Sequence, residues 1–320
     1  MITDNVALKM EIKRRTFINL ALATLGLTSL SCTASRFVRL GAGTPGGAYF
    51  VCAGAISTLL ESARMNPRVQ TTGGGPQNAI LLDRAELDIG IINNIDAFQA
   101  MYEDRRENIR SVLPIFNGIH HFVVRADQPI YTLSDLDLQP FGLSNRGSTH
   151  DIAGRQIFEI LNINPRFQNA GKGDTNNMVR DGLLKGFFAT SGIPMPSISE
   201  LKTSLDLRFL EFSDEEYLLV KEGAPWLLEN SLEAGPYTGM DKPLRSFSSW
   251  NALMANKDVD DELIYDIADV CYSNPGTIER AYQASDIDPN LIETLVLPLH
   301  PGAEEYYREK GIEIPERLAS

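Results

Sequence analysis

Twice along this chain a short apolar run gives way to a polar loop and then to an amphipathic helix, and that repetition constrains the fold most. The first instance is residues 39–61, RLGAGTPGGAYFVCAGAISTLLE, where residues 37–40 read as the end of a β-strand. Gly41, Gly43, Gly46 and Gly47 follow, and their missing side chains let another molecule approach the backbone. The helix after them points its first free N–H groups and its positive dipole end at the loop. Such an end is a ready site for a carboxylate or a phosphate. The second instance is residues 141–161. A strand reaches Ser144, Asn145-Arg146-Gly147-Ser148-Thr149 form a polar loop, and a helix with apolar Ile152, Ile157, Ile160 and Leu161 follows from Asp151.

The segments between continue the alternation. Residues 68–72 read as a strand ending in Gly73-Gly74-Gly75-Pro76, and Pro76 suits the first turn of a helix over residues 77–84. Residues 87–92 read as a buried strand that ends at Asn93-Asn94, and another helix begins near Asp96. Alternating strands and helices predict an α/β fold with a parallel sheet. Ligands in such sheets sit at the carboxyl ends of the strands, so the loops at residues 43–47, 73–77 and 93–96 should converge. Residues 110–116 and 121–125 read as two further strands, the second leading out of the first domain.

A second unit of the same style has a strand at residues 167–170, a helix at 176–184 and a strand at 186–190 that ends at Ser191-Gly192. A strand at residues 207–212, a helix at 217–222 and the turn-rich loop EAGPYTGMDK at 233–242 come next. Residues 246–255 look extended and return the chain to the first domain, where helices at about residues 260–272, 276–283 and 301–310 close it. A lobe that starts, is left and is rejoined gives two hinge crossovers around a cleft. The expected division is an export signal at residues 1–32, lobe I at 33–124 and 248–320, and lobe II at 125–247.

Charge narrows the partners. The 320 residues carry a formal net charge of −13, which argues against nucleic acid or an anionic membrane surface as a general partner. An anionic ligand would have to be held by local dipoles and a few cations. Lys13, Arg14 and Arg15 followed by an apolar run to Leu30 read as an export signal. The string KRRTFIN resembles a twin-arginine signal, and an ordinary Sec signal is the alternative. Ser29-Leu30-Ser31-Cys32 suits either lipid attachment at Cys32 or cleavage at the small residues, and the mature domain is expected in the periplasm in both cases.

Cys52 and Cys271 sit among apolar residues and read as buried thiols, although an oxidising compartment would permit a disulfide. The four histidines lack metal-ligand spacing, so no metal is expected. His120-His121 lies before the first crossover; a cleft-edge ligand donor or hinge switch is the alternative to the expected reading of one packed and one exposed ring. Tyr49, Tyr237 and Trp250 are candidates either for cleft walls or for the core.

Two motifs invite a chemical reading. Gly41-x-Gly43-x-x-Gly46 matches the dinucleotide fingerprint in position, but the strand that should end in an acidic residue ends in Thr71-Thr72-Gly73. An exported cofactor-bound oxidoreductase is the alternative that this motif keeps open. Arg146-Gly147-Ser148-Thr149 reads either as an anion clamp, with a guanidinium fork, two hydroxyls and a helix dipole, or as a helix cap beside an exposed Arg. No Ser-His-Asp arrangement, carboxylate pair or P-loop stands out, so no enzyme and no cofactor are expected.

In order along the chain, GAGTPGGAYF at residues 41–50, TTGGGPQNAILLDRAELDIGIINNIDAF at 71–98, GLSNRGSTHDIAGRQIFEILNI at 142–163 and DGLLKGFFATSGIPMPSISEL at 181–201 resemble a known family. It is the TAXI-type solute receptors of tripartite ATP-independent periplasmic (TRAP) transporters. The resemblance implies a type II periplasmic-binding fold that closes on a small organic acid or amino acid, such as glutamate, 2-oxoglutarate or a dicarboxylate, and hands it to a membrane permease. It further implies a site using Gly43, Thr44, Gly47, Tyr49, Gln77, Asn78 and Asn93 or Asn94 from the first lobe, with Ser148, Thr149 and the Ser191-Gly192 turn from the second. Gly75 stands where the family commonly has Ser, and Asn145-Arg146 replaces a small-residue stretch, so Arg146 points to a different or more acidic ligand. A ligand-sensing subunit with the same fold is the other expectation.

Overall fold

The computed structural model describes residues 37–320, except 46, 225, 236, 238 and 239. The expected export signal, the lipid attachment at Cys32 and the Gly46 position of the fingerprint therefore lie outside the described residues.

The first half alternates as its sequence pattern predicts: β1 (Phe37–Gly41), α1 (Ala48–Ser62), β2 (Asn66–Gln70), α2 (Gly75–Asp83), β3 (Ile89–Asn93) and α3 (Asn94–Phe98), continued by a π-helical turn. Strand β1 lies between β2 and β3 and is parallel to both. The second half repeats the plan with β5 (Pro140–Leu143), α4 (Thr149–Ile160), β6 (Arg166–Asn169), α5 (Lys172–Arg180) and β7 (Gly186–Ser191), and β5 is parallel to both β6 and β7. Strands buried on both faces read as nearly continuous apolar runs; β3, IGIIN, has all five residues buried.

Two long antiparallel strands join the halves. Strand β4 (Ile109–Arg125) and strand β10 (Leu244–Asn256) pair with each other between β3 and β7, in the order β2-β1-β3-β10-β4-β7-β5-β6. The two strands expected over residues 110–125 are thus one. Gly118 falls in the expected gap between them, whereas Pro114 lies inside the first expected strand and faces Ala252 beside a register shift, which suits a residue that cannot donate to the ladder. Gly118 packs so close to Thr190 that a Cβ would come within 2.8 Å of its hydroxyl.

The remaining elements are α6 (Pro196–Lys202), β8 (Leu207–Phe209), α7 (Asp214–Gly223), β9 (Leu228–Leu232), α8 (Asp261–Ser273), α9 (Pro275–Ala281) and α10 (Pro301–Glu309), with short 3-10 turns. Helix α7 starts on a reciprocal cap between Ser213 and Glu216. Helix α5 begins and ends four residues earlier than its pattern suggests, because Gly171 starts it.

The described residues bury three apolar clusters. The first packs β1, β3, α1 and α8, with Leu40, Ile56, Ile91 and Ile267 fully buried. The second is aromatic, built on Phe122, Phe141, Phe158, Phe188 and Phe247, and full burial of each such ring is worth about 1.5–3 kcal/mol. A third covers the other face of the second half around Val123, Phe187 and Ile198. Strand β4 passes from the first cluster at Phe116 to the second at Phe122, and β10 passes back from Phe247 to Ala252. The intervening stretches, residues 117–121 and 248–251, are mainly polar, with Ile119 and Trp250 as the exceptions.

These stretches correct the reading of His120 and His121, since both rings are fully buried. Side chains cover both faces of β4 here, Phe188 over His120 and Phe209 with Tyr237 over His121. His121 Nε2 lies 2.9 Å from the Tyr237 hydroxyl, and His120 meets Phe188 edge-on. Burial pushes His120 down to about 3 and His121 down to about 4, which keeps both neutral. Cys52 and Cys271 are buried free thiols.

Candidate functional site

The carboxyl ends of β1, β2 and β3 and the starts of α1 and α2 face the loop between β5 and α4 across a cleft of ≈ 520 Å³. That volume falls within the roughly 300–1,000 Å³ usual for small-molecule sites. Gly43, Thr44, Gly47 and Tyr49 line it from the first loop, and Gln77 and Asn93 from the next two. Opposite them stand Arg146, Ser148 and Thr149, with Ser191 at the end of β7.

Three residues implied by the resemblance do not line the cleft. Asn78 is fully buried behind it; its amide donates to the carbonyls of Ala42 at 2.9 Å and Ile91 at 2.8 Å, and its oxygen accepts the Thr72 hydroxyl at 2.7 Å. It ties the ends of three strands together. Asn94 is also fully buried and donates to the Thr294 carbonyl at 2.6 Å. Gly192 packs against Ala284 and Tyr282 so closely that a Cβ would overlap Ala284. Of the aromatic candidates, Tyr49 lines the cleft. Tyr237 instead bonds His121 and accepts from the Met195 N–H, and Trp250 is core.

The helix ends differ across the cleft. Gly47 and Gly74 immediately precede helices α1 and α2, and neither helix is capped by a side chain. Gly74 has φ 107°, a left-handed backbone that favours glycine. Without side-chain caps, the first N–H groups of α1, and those of α2 other than at Pro76, which has none, are open to an acceptor from outside. Helix α4 is closed off: Ser148 accepts from the Asp151 N–H, and the Asp151 carboxylate accepts from Gly147 N, Arg155 and Asn169. Burial alone would raise Asp151, but Asn169, the Gly147 N–H and Arg155 outweigh it and hold the carboxyl below its ordinary range.

Most side-chain acceptors in the cleft are already engaged. Asn251 Oδ1 accepts from the Tyr49 hydroxyl at 2.6 Å and from Asn93 at 3.0 Å. Asn93 Oδ1 accepts from Ile95 N, and Gln77 Oε1 from Gly73 N at 2.6 Å. Arg146 is exposed, and among the described lining residues it carries the one permanent charge; no carboxylate lines the cleft. What remains available is a set of donors around one guanidinium, an arrangement suited to an anion.

Sequence reasoning missed Asn251, Thr190, Phe116 and Tyr282, which reach the cleft from β10, β7, β4 and the segment after α9. Asn251 did leave a signal, as a polar residue inside the apolar run WNALMAN. Among the described residues no group of His, Cys, Asp and Glu could hold a metal ion, and no helix is long and apolar enough to cross a membrane.

The sequence profile of the NMT1-like family matches residues 40–311. The chain belongs to the NMT1-like family. Its match begins at the end of β1, just before the glycine loop, and includes both faces of the cleft. Among solved structures, XAC2383 from Xanthomonas citri bound to ATP is 13% identical over 86% of this chain and 98% of its own, with a TM-score of 0.54. A protein described as a periplasmic transporter is 15% identical over 85% of this chain and 92% of its own, with a TM-score of 0.50. At such identities the likeness is one of fold. This NMT1-like chain shares the mixed α/β fold of those structures, two βαβ halves about one cleft.

Proposed function

We propose that this NMT1-like protein is a non-enzymatic extracytoplasmic receptor that closes on a small carboxylated solute, an organic acid or an amino acid, and delivers it to a membrane permease. The observation that carries the reading is the cleft itself: two helix starts without side-chain caps face Arg146, and no described carboxylate lines the space between. A helix end contributes about 0.3–2 kcal/mol toward an anion, and a charge-assisted hydrogen bond about 1.5–3 kcal/mol. A few such contacts approach the roughly 8 kcal/mol of micromolar binding.

The lobes meet at the polar stretches of β4 and β10, and we take residues 117–121 and 248–251 as the hinge. The TAXI-like segments favour a TRAP-type permease as the partner, and export with a lipid anchor at Cys32 belongs to the same proposal. A thermal-shift panel of mono- and dicarboxylates, oxo acids and amino acids tests it. At least one carboxylate should raise Tm by several degrees at saturating concentration, because a ligand bound only by the native state stabilises it, by about 2.7 kcal/mol at 100 Kd. A panel without any shift would overturn the reading.

A further inference from the structure

We propose that closure of this cleft takes up one proton, and that the proton resides on the carboxyl group of Asp96. The inference rests on the receptor reading and adds a form of control to the same site.

Asp96 stands in the first turn of α3, in the first half of the molecule, and is 3% exposed. Its Oδ2 lies 2.6 Å from Thr149 Oγ1, at the first position of α4 in the second half. The bond therefore spans the two halves and exists only while they are together. Other contacts of α3 repeat this bridging. Ile95 is buried in the aromatic cluster of the second half, and the Phe98 ring lies 4.9 Å from Trp226. Gly75 sits underneath. A Cβ there would overlap Asp96 Oδ2 and come within 3.4 Å of Thr149 Oγ1, so the glycine makes room for the pair.

The surroundings favour a neutral carboxyl group. Asp96 Oδ1 is buried without a hydrogen-bond partner, and burying a charge that is neither paired nor fully hydrogen-bonded is costly. The titratable and charged groups nearby do not offset that cost. The Tyr49 hydroxyl on α1 donates to Asn251 and also neighbours Thr149; burial first, and then Asp96, hold it well above its ordinary range, so it stays neutral and brings no compensating charge. On α4, His150 and Asp151 follow Thr149 in sequence, and the Asp151 carboxylate is held by Arg155 and Asn169. Gly75, Pro76 and Gln77 at the start of α2 carry no charge, nor do Asn93 on β3 and Ser249 and Asn251 on β10. Arg146 lines the cleft but makes no ion pair with Asp96 within 4.0 Å. Burial accordingly raises Asp96 to about 7, with the Thr149 hydroxyl pulling it partly back.

When the halves part, Thr149 leaves, water reaches the carboxyl group, and its pKa returns toward about 4. The sign follows from that difference. Closure is strongest below about pH 4, where both forms are protonated, and weakens by up to about tenfold per pH unit between about 4 and 7. Above about 7 the closed form is ionised too, and the dependence ends. Within that window the solute anion and a proton enter together.

The test needs no ligand, so its failure is separable from failure of the receptor reading, which the carboxylate panel decides. Spin labels at Thr58→Cys and Glu159→Cys, on exposed positions of α1 and α4, report the distance between halves in the full chain carrying Cys32→Ser. Cys52 and Cys271, buried and pushed up to about 12, stay unlabelled. The ratio of short-distance to long-distance forms should fall at least tenfold from pH 5 to pH 7.5. Asp96→Asn should abolish that dependence, and Thr149→Val should lower the ratio while keeping its slope. A wild-type ratio independent of pH, or an unchanged slope in Asp96→Asn, overturns the proposal.

Discussion

The two polar loops that face each other across the cleft solve the same local problem in opposite ways. Both follow a parallel strand and both open a helix. The first, at residues 43–47, ends in Gly47 and leaves the start of α1 without a side-chain cap. The second, at residues 145–149, uses Ser148 and Asp151 to satisfy its own N–H groups. The first loop thus presents backbone donors, whereas the second is closed on itself and presents side chains, chiefly Arg146 and Thr149. One jaw is a rigid backbone cradle and the other a clamp whose grip depends on individual side chains. Mutations should therefore damage the two differently, in folding on the first side and in affinity on the second.

The largest effect is expected behind the backbone cradle. Asn78→Leu removes the amide that holds the Ala42 and Ile91 carbonyls, and buried polar groups left unpaired cost about 1–3 kcal/mol each. A loss of about 3 kcal/mol in denaturant unfolding should result. On the opposite jaw, Arg146→Ala should leave unfolding within about 0.5 kcal/mol of wild type, as for exposed substitutions generally. Calorimetric affinity for a carboxylate found in the panel should nonetheless fall by roughly 10- to 100-fold, the worth of a charge-assisted bond of about 1.5–3 kcal/mol. Equal affinity would remove Arg146 from the clamp.

Asp151→Asn probes how the second loop keeps its shape. The native carboxyl titrates below its ordinary value, so it stabilises the fold above about pH 4, and that contribution is lost as pH falls through the lowered value. Urea unfolding of the variant should show a deficit of about 1 kcal/mol at pH 7, in the range of a lost helix cap, and the deficit should shrink toward pH 3. The smallest effect is expected for Tyr49→Phe, which loses the bond to Asn251. Its cost should be about 0.5–1.5 kcal/mol in thermal unfolding, with no pH dependence below 9.

Much of the fold was legible because period carries it. The parallel strands of both halves, the helices around residues 260–310 and the buried thiols all follow from apolar spacing. What escaped was short or non-local. Strand β9 is five residues long and contains Glu229, Asn230 and Ser231, so no alternation marks it. The gap expected around Gly118 split β4 in two because the close approach of Gly118 to Thr190 cannot be read from the residues alone. The site divides in the same way. Loop residues near a glycine or an Arg could be anticipated, but Asn251 arrives through the sheet topology and Tyr282 from the segment after α9. Asn78 shows the converse: its polarity suggested a ligand, whereas it serves three strand ends.

The central claim is that both jaws grip one anion. Backbone amide spectra of the isotopically labelled protein, recorded through a titration with a carboxylate from the panel, test it most directly. The amides of residues 43, 44, 47–49, 74, 75, 77, 78 and 146–149, Pro45 and Pro76 having none, should shift together with a single dissociation constant. Shifts confined to one jaw, or to residues away from the cleft, would contradict it.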